Sequence, residues 1–182
     1  MACEKHSSPL PSAEEIIRKL GLGPHPKEGG WFAETYRADE GIPGECLPGR
    51  YRARSDAGRA FSTAIYYLLT PETRSALHRL ASDEVFHFYL GDPVTMLNLH
   101  PDGSSEVLAL GGDILAGERV QVVVRRGTWQ GAHLAEGGRW ALLGCTVAPG
   151  FEYADYEAAS RRELLKRYPE RRDLIIRLTE DE

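Results

Sequence analysis

Residues 78 to 91 read His78-Arg79-Leu80-Ala81-Ser82-Asp83-Glu84-Val85-Phe86-His87-Phe88-Tyr89-Leu90-Gly91. The aromatic and β-branched run that starts at Glu84 stops at Gly91-Asp92-Pro93, as a strand bounded by a turn does. Side chains alternate across a strand, so Glu84, Phe86 and Phe88 share one face and His87 lies on the other. In a barrel that shared face points inward. His78, near the end of the strand before, then meets Glu84 across the turn. An imidazole beside a carboxylate suits metal ligation or general acid–base work. A bulge near the start of this strand would turn His87 toward Glu84 as well.

Outward from this segment the strand pattern repeats. Residues 61–70 are β-branched and aromatic and end at Pro71. Runs at 75–80, 84–90, 94–100 and 106–110 follow, the last two flanking the hairpin signal Pro101-Asp102-Gly103-Ser104. Residues 119–125 put Val120, Val122 and Val124 on one face, and Glu136-Gly137-Gly138 turns the chain into 140–147. Short strands at this spacing indicate a sandwich or a closed barrel. Ahead of them, Gly29-Gly30 precedes a strand over 31–37. Ser12-Ala13-Glu14-Glu15 has the capping-box form and opens a helix with Ile16, Ile17 and Leu20 on one side, stopping at Gly21. Helix returns after Ala158 and breaks at Pro169. Residues 38–59, rich in Gly, Pro and charge, read as a long flap-like loop. The expected class is all-β with short N-terminal and C-terminal helices. Residues 1–11 form a flexible leader and 12–182 a single domain.

A length of 182 residues suits one domain, and 42% hydrophobic composition supports an ordinary core. The formal charge of −5 and pI of about 5.7 argue against a nucleic-acid surface. Late basic residues, Arg161 to Arg172, are interleaved with Glu163 and Glu170, which reads as a solvated helix face. Cys3, Cys46 and Cys145 show neither metal-type spacing nor a disulfide framework, and Cys145 lies in an apolar run. No signal peptide or membrane-spanning run is visible, so the expectation is a soluble cytoplasmic protein with no membrane or nucleic-acid partner.

The same residues carry a family resemblance. The first cupin motif runs His-x-His, three or four residues, Glu, six residues, Gly; here it meets His78, Leu80 in place of the second His, Glu84 and Gly91. The second motif, Pro-x-Gly-x-x-His, is similar to Arg125-Arg126-Gly127-Thr128-Trp129-Gln130, with Gln130 where the His belongs. Residues 82–93, together with Gly29-Gly30-Trp31-Phe32, Gly127-Thr128-Trp129-Gln130 and Pro149-Gly150-Phe151-Glu152-Tyr153-Ala154-Asp155-Tyr156, resemble the fifth cupin subfamily, known mainly as a domain of unknown function. The resemblance implies a cupin double-stranded β-helix, a jelly-roll barrel, paired as a homodimer. Enzymatic cupins usually hold a divalent metal with three His and one Glu. With Leu80 and Gln130 at two of those positions, no cofactor is expected; a divalent ion, if bound, would take His78, Glu84 and His87.

The expected function is binding of a small molecule inside the barrel. The expected catalytic set is His78, Glu84 and Tyr153, with His78 as base and Glu84 orienting it. Tyr153 or Tyr156 serves as acid if residues 151–156 fold over the mouth. Ligand contacts are expected from His87, Gln130, Trp129, Tyr156 and Arg54, with Arg37, Arg50 and Arg52 beside the long loop to hold an anionic group. Polar groups within aromatic walls suit a nucleotide or a sugar nucleotide. Two alternatives belong to other classes: a metal-free sugar-nucleotide epimerase or isomerase, and a metal-dependent dioxygenase with a degenerate ligand set. His78 and Glu84 also fit a purely structural pair, and Trp140, opening an apolar strand, fits core packing.

Overall fold

The computed structural model describes residues 11–180. The expected leader therefore lies outside the described residues except for Pro11, as does Cys3. Ser12 caps α1 (Ala13–Leu20): its hydroxyl accepts from the Glu15 amide while the Glu15 carboxylate accepts from the Ser12 amide. Gly21, at φ +65°, ends the helix.

The remaining elements, in chain order, are β1 (Gly23–Pro24), β2 (Trp31–Arg37), β3 (Gly41–Ile42), α2 (Gly49–Arg52), β4 (Arg59–Ala60), β5 (Thr63–Leu69), β6 (Arg74–Arg79), β7 (Asp83–Gly91), β8 (Val94–Leu99), β9 (Ser105–Leu110), β10 (Gln121–Val124), β11 (Trp129–Leu134), β12 (Ala141–Ala148), β13 (Glu157–Ala158), α3 (Arg161–Arg167) and α4 (Arg172–Leu178). One sheet has the order β1-β2-β5-β12-β7-β10 and a second β13-β6-β11-β8-β9, with β3 and β4 a separate ribbon. The two large sheets stay open and pack as a jelly roll rather than closing on themselves.

Alternation sets what each sheet contributes between them. From the first come Tyr67, Leu69, Phe86, Val122, Leu143 and Cys145; from the second come Val94, Met96, Leu108, Leu110, Ala132 and Leu134. Burying each large apolar side chain here is worth about 1.5–3 kcal/mol. The outer faces are covered separately. Leu68, Trp140 and Leu142 pack under α1, and the Trp140 indole donates to the Pro11 carbonyl at 2.9 Å. Leu77, Leu97, Leu99 and Trp129 pack under α3 and α4.

Two expectations need correction. Residues 38–59 are not a free flap: they contain β3, α2 and β4, bury Tyr51 completely, and end at Arg59, whose guanidinium makes two 2.9 Å bonds to the Asp155 carboxylate. Val120 lies ahead of β10 and is 44% exposed, because β10 begins at Gln121 and only Val122 and Val124 face the core. The Gly29-Gly30 pair does mark tight backbone: both have positive φ, and a Cβ on Gly29 would sit 2.6 Å from the Arg74 carbonyl oxygen. Among the described residues no helix is long and apolar enough to cross a membrane.

Candidate functional site

The interior is polar toward one end of the strands. On β11, Gln130 pairs with His78 of β6 on one side and with Asn98 of β8 on the other, and all three are at most 2% exposed. Glu84, opening β7 from the opposite sheet, accepts from the Gln130 amide at 2.5 Å. His78 and Glu84 thus reach the same amide, whose nitrogen lies 3.4 Å from His78 Nε2. His78 Nδ1 is 2.8 Å from the Ala76 carbonyl oxygen, which can only accept. The proton of the neutral ring therefore sits on Nδ1, and Nε2 turns its lone pair toward the interior.

A second carboxylate reaches this space from the turn between β1 and β2. Glu28 Oε1 is 3.7 Å from His78 Nε2 and 3.6 Å from His25 Nε2. The turn is held by its own chemistry. His25 Nδ1 accepts from the amides of Lys27 (3.3 Å) and Glu28 (2.9 Å), so the neutral His25 ring carries its proton on Nε2, facing Glu28. The Glu28 carbonyl accepts from the Ala76 amide at 2.8 Å, and the Tyr67 hydroxyl donates to the Gly29 carbonyl at 2.8 Å. Neither His25 nor Glu28 was picked out from the sequence. The signal available was a His and a Glu enclosed by Pro24, Pro26 and Gly29-Gly30, which reads only as a turn.

Burial governs the ionisation of the group. It pushes Glu28 up to about 8. Burial also raises Glu84, to about 7, with the Glu28 charge adding to it and His78, Gln130 and Cys145 opposing. His25 is lowered to about 4 by burial and then by His78. His78 is lowered by burial, against the pull of Glu84. Two carboxyls in one dry space titrate as a pair, so near neutrality the pair retains a proton while both imidazoles stay neutral.

A cavity of about 350 Å³ opens onto His25, Glu28 and Glu84, walled by Phe32, Ile65, Leu80, Cys145 and Val147, with Phe151 and Tyr153. Tyr153 is 41% exposed and meets the Phe151 ring edge-on. Tyr156 stacks on His78 at 5.1 Å, and its phenol is pushed up to about 12 by burial and by Glu28. The Lys27 ammonium lies 5.3 Å from both tyrosine rings.

Three expected site residues are elsewhere. His87 faces away, between Gln121 and Thr146 and against Tyr89. The bulge that would have turned it inward falls later: β12 pairs Leu143 with Phe88 and Leu142 with Leu90, leaving Tyr89 as the extra residue. Trp129, expected at the mouth, is 8% exposed beneath α3 and α4, with the Arg79 guanidinium 4.4 Å from its ring centre. Arg54 lines a separate shallow cleft and is bound to Glu157 at 3.1 Å. Of the other arginines near the long loop, Arg37 reaches the cavity but is held by Glu34 and Glu152, and Arg50 donates to the Ala81 carbonyl.

A jelly roll presenting His78 and Gln130 on adjacent strands and Glu84 from the facing sheet agrees with a family comparison: the model described as Cupin_5, Cupin superfamily (DUF985), matches residues 14–159. The chain belongs to this cupin family. The cupin is 28% identical over 162 residues to the uncharacterized protein YML079W of Saccharomyces cerevisiae, covering 87% of this chain and 80% of the yeast protein. Among solved structures, protein SO0799 of Shewanella oneidensis is 32% identical with a TM-score of 0.81, covering 95% of this chain and all of that one (100%). A hypothetical protein from Leishmania major is 30% identical with a TM-score of 0.81, covering 94% and 100%. The superfamily's metal-ligand set does not fit this cupin's donors. Leu80 offers none, Gln130 offers an amide oxygen in place of an imidazole, and among the described residues no three His, Cys, Asp or Glu are grouped to hold an ion.

Proposed function

We propose that this cupin binds a small hydroxylated molecule of about sugar size between its sheets and exchanges a proton with it through Glu28, with His78 behind Glu28 as its proton partner. The observation that carries the reading is a cavity lined by the Glu28 and Glu84 carboxyls, with His78 Nε2 buried behind them at 3.7 Å from Glu28 Oε1. The 350 Å³ cavity is near the lower end of the range for ligand sites, enough for one ring with its hydroxyls. A nucleotide portion, where the ligand has one, would lie outward over Phe151, Tyr153 and Lys27. Buried carboxyls suit hydroxyls because the ionised form accepts and the protonated form donates.

The roles follow from the protonation states. Neutral His78 offers Nε2 as base toward Glu28, 3.7 Å away. Glu28, held at about 8, is the acid matched to neutral pH, a closer match than Tyr156 at about 12. His25 keeps an Nε2 proton facing Glu28, because protonating Nδ1 would break two amide bonds. The Ala76 carbonyl holds the far side of His78 through Nδ1, and the Gln130 amide joins Nε2 to Glu84.

Thermal-shift screening with free hexoses, nucleosides and sugar nucleotides tests the ligand class, since a ligand at a hundred times its Kd stabilises by about 2.7 kcal/mol. Calorimetry of the hit in buffers of different ionisation enthalpy then reads proton exchange. The expected result is proton exchange in the wild type and its loss in Glu28→Gln with binding retained. Silence from all three compound classes, or unchanged proton exchange in the variant, overturns the reading.

A further inference from the structure

Three arginines on the chamber side are neutralised by carboxylates: Arg37 by Glu34 and Glu152, Arg54 by Glu157, Arg59 by Asp155. The opposite end of the sandwich is built differently. Arg74 of β6 and His133 of β11 are direct cross-strand partners. With Arg177 of α4 and the turns around Glu72 and Glu136, they line a cavity of about 290 Å³. Two nitrogens there are buried without a hydrogen-bond partner, Arg74 Nε and His133 Nε2, and the His133 residue is only 7% exposed. Both residues line the one cavity, and a buried polar group left without a partner is costly, so an occupant that partners both is favoured.

The chemistry of that occupant can be read from the donors. His133 Nδ1 is 2.7 Å from the Leu134 carbonyl oxygen and therefore carries the ring proton. Its Nε2 is then an acceptor, kept neutral by burial and by the Arg177 charge. Arg74 Nε–H is a donor. An occupant that satisfies both must present an acceptor and a donor together, and two guanidinium charges favour an anion. Hydrogen phosphate has all three properties: an anionic oxygen for Arg74, a P–OH for His133, and charge for Arg177. Sulfate at neutral pH has no proton to donate. The present partner of Arg74 is weak, Glu180 at 3.9 Å with its side chain 87% exposed. Glu72 and Glu136 oppose an anion, but both are exposed on the rim, where solvent and salt screen them.

We propose that this second cavity binds inorganic hydrogen phosphate. The site is separate from the chamber, so its test is independent of the proposed ligand there. Titration of the full chain at constant ionic strength with inorganic phosphate, glycerol phosphate or sulfate, read by the ¹⁵N signals of the His133 ring, distinguishes the sources. The expected result is a saturable His133 shift with phosphate, and affinity at least about tenfold weaker for sulfate. Glycerol phosphate, which has lost most of its second proton at neutral pH, should respond more weakly than inorganic phosphate, and an equal response overturns the assignment of a P–OH to His133. Arg177→Gln, on an exposed helix position, and Arg74→Gln should each abolish the shift while melting as the wild type does without phosphate. No saturable shift up to about 20 mM phosphate, sulfate affinity within about tenfold of phosphate, or a shift that survives either substitution overturns the proposal.

Discussion

Along three strands the inward side chains change character part-way. Glu84 gives way to Phe86 and Phe88 on β7, Asn98 to Met96 and Val94 on β8, and Gln130 to Ala132 and Leu134 on β11. The strands run in opposite directions, yet the polar residues all fall at one end, because antiparallel register puts Gln130 opposite Asn98 and Glu84 opposite Val147. One half of the interior is an apolar plug, and the other holds two carboxyls and two imidazoles. Within the chamber half, Gln130 Oε1 and Asn98 Oδ1 are buried acceptors without partners. The lesson is that the halves act oppositely on stability: the plug supplies it and the chamber spends some, as sites arranged for ligands do.

The largest effect should come from the plug. Phe86→Ala, at a position 3% exposed, is expected to lower unfolding free energy by about 3–5 kcal/mol in urea titrations. A loss under about 1 kcal/mol would show that the apolar half is not what holds the sheets together.

The chamber should answer to pH instead. Glu28 and Glu84 keep their protons to about 8 and 7 in the folded chain against 4.5 ordinarily, so stability falls as pH rises from 4.5 through those values. His25 and His78 act in the opposite sense only below their ordinary 6.5, where the unfolded imidazoles bind protons that the buried ones refuse. Between pH 6.5 and 8 the carboxyls dominate this group, and denaturation midpoints should fall by an amount equivalent to about 2 kcal/mol. Glu28→Gln should remove most of that slope. A slope unchanged in the variant would place the responsible group elsewhere.

The smallest effect belongs to the outer face. His87→Ala is expected to change stability by no more than about 0.5 kcal/mol and to leave ligand binding in the chamber intact, by the same titrations and calorimetry. A loss of binding would mean that the division between inward and outward faces of β7 fails at this residue.

How much of this was legible follows the same division. Period-two alternation from Glu84 onward correctly separated Glu84 from His87, and only a bulge before His87 could have altered it. The spaced motifs around His78, Glu84 and Gln130 sufficed for the family and the jelly roll. Trp129 was misplaced because its burial depends on α3 and α4 folding back over β11, a contact between distant segments with no local signature. Glu28 and His25 were missed for a related reason. They lie in a turn, where no periodicity assigns a direction, and the side chains enter the chamber because the Glu28 and Gly29 carbonyls are held by Ala76 and Tyr67.

The sequence by itself determined the strand order of events along the chain, the capped first helix, the inward face of β7 and the pair His78 and Glu84, since each depends on spacing within a short segment. Tertiary structure alone decided that a turn carboxylate would join that pair, that Arg37 and Arg54 would be neutralised by carboxylates, and that Arg74 and His133 would share a second cavity. Those outcomes depend on which distant segments pack together, and burial then sets what each group can ionise to and bind.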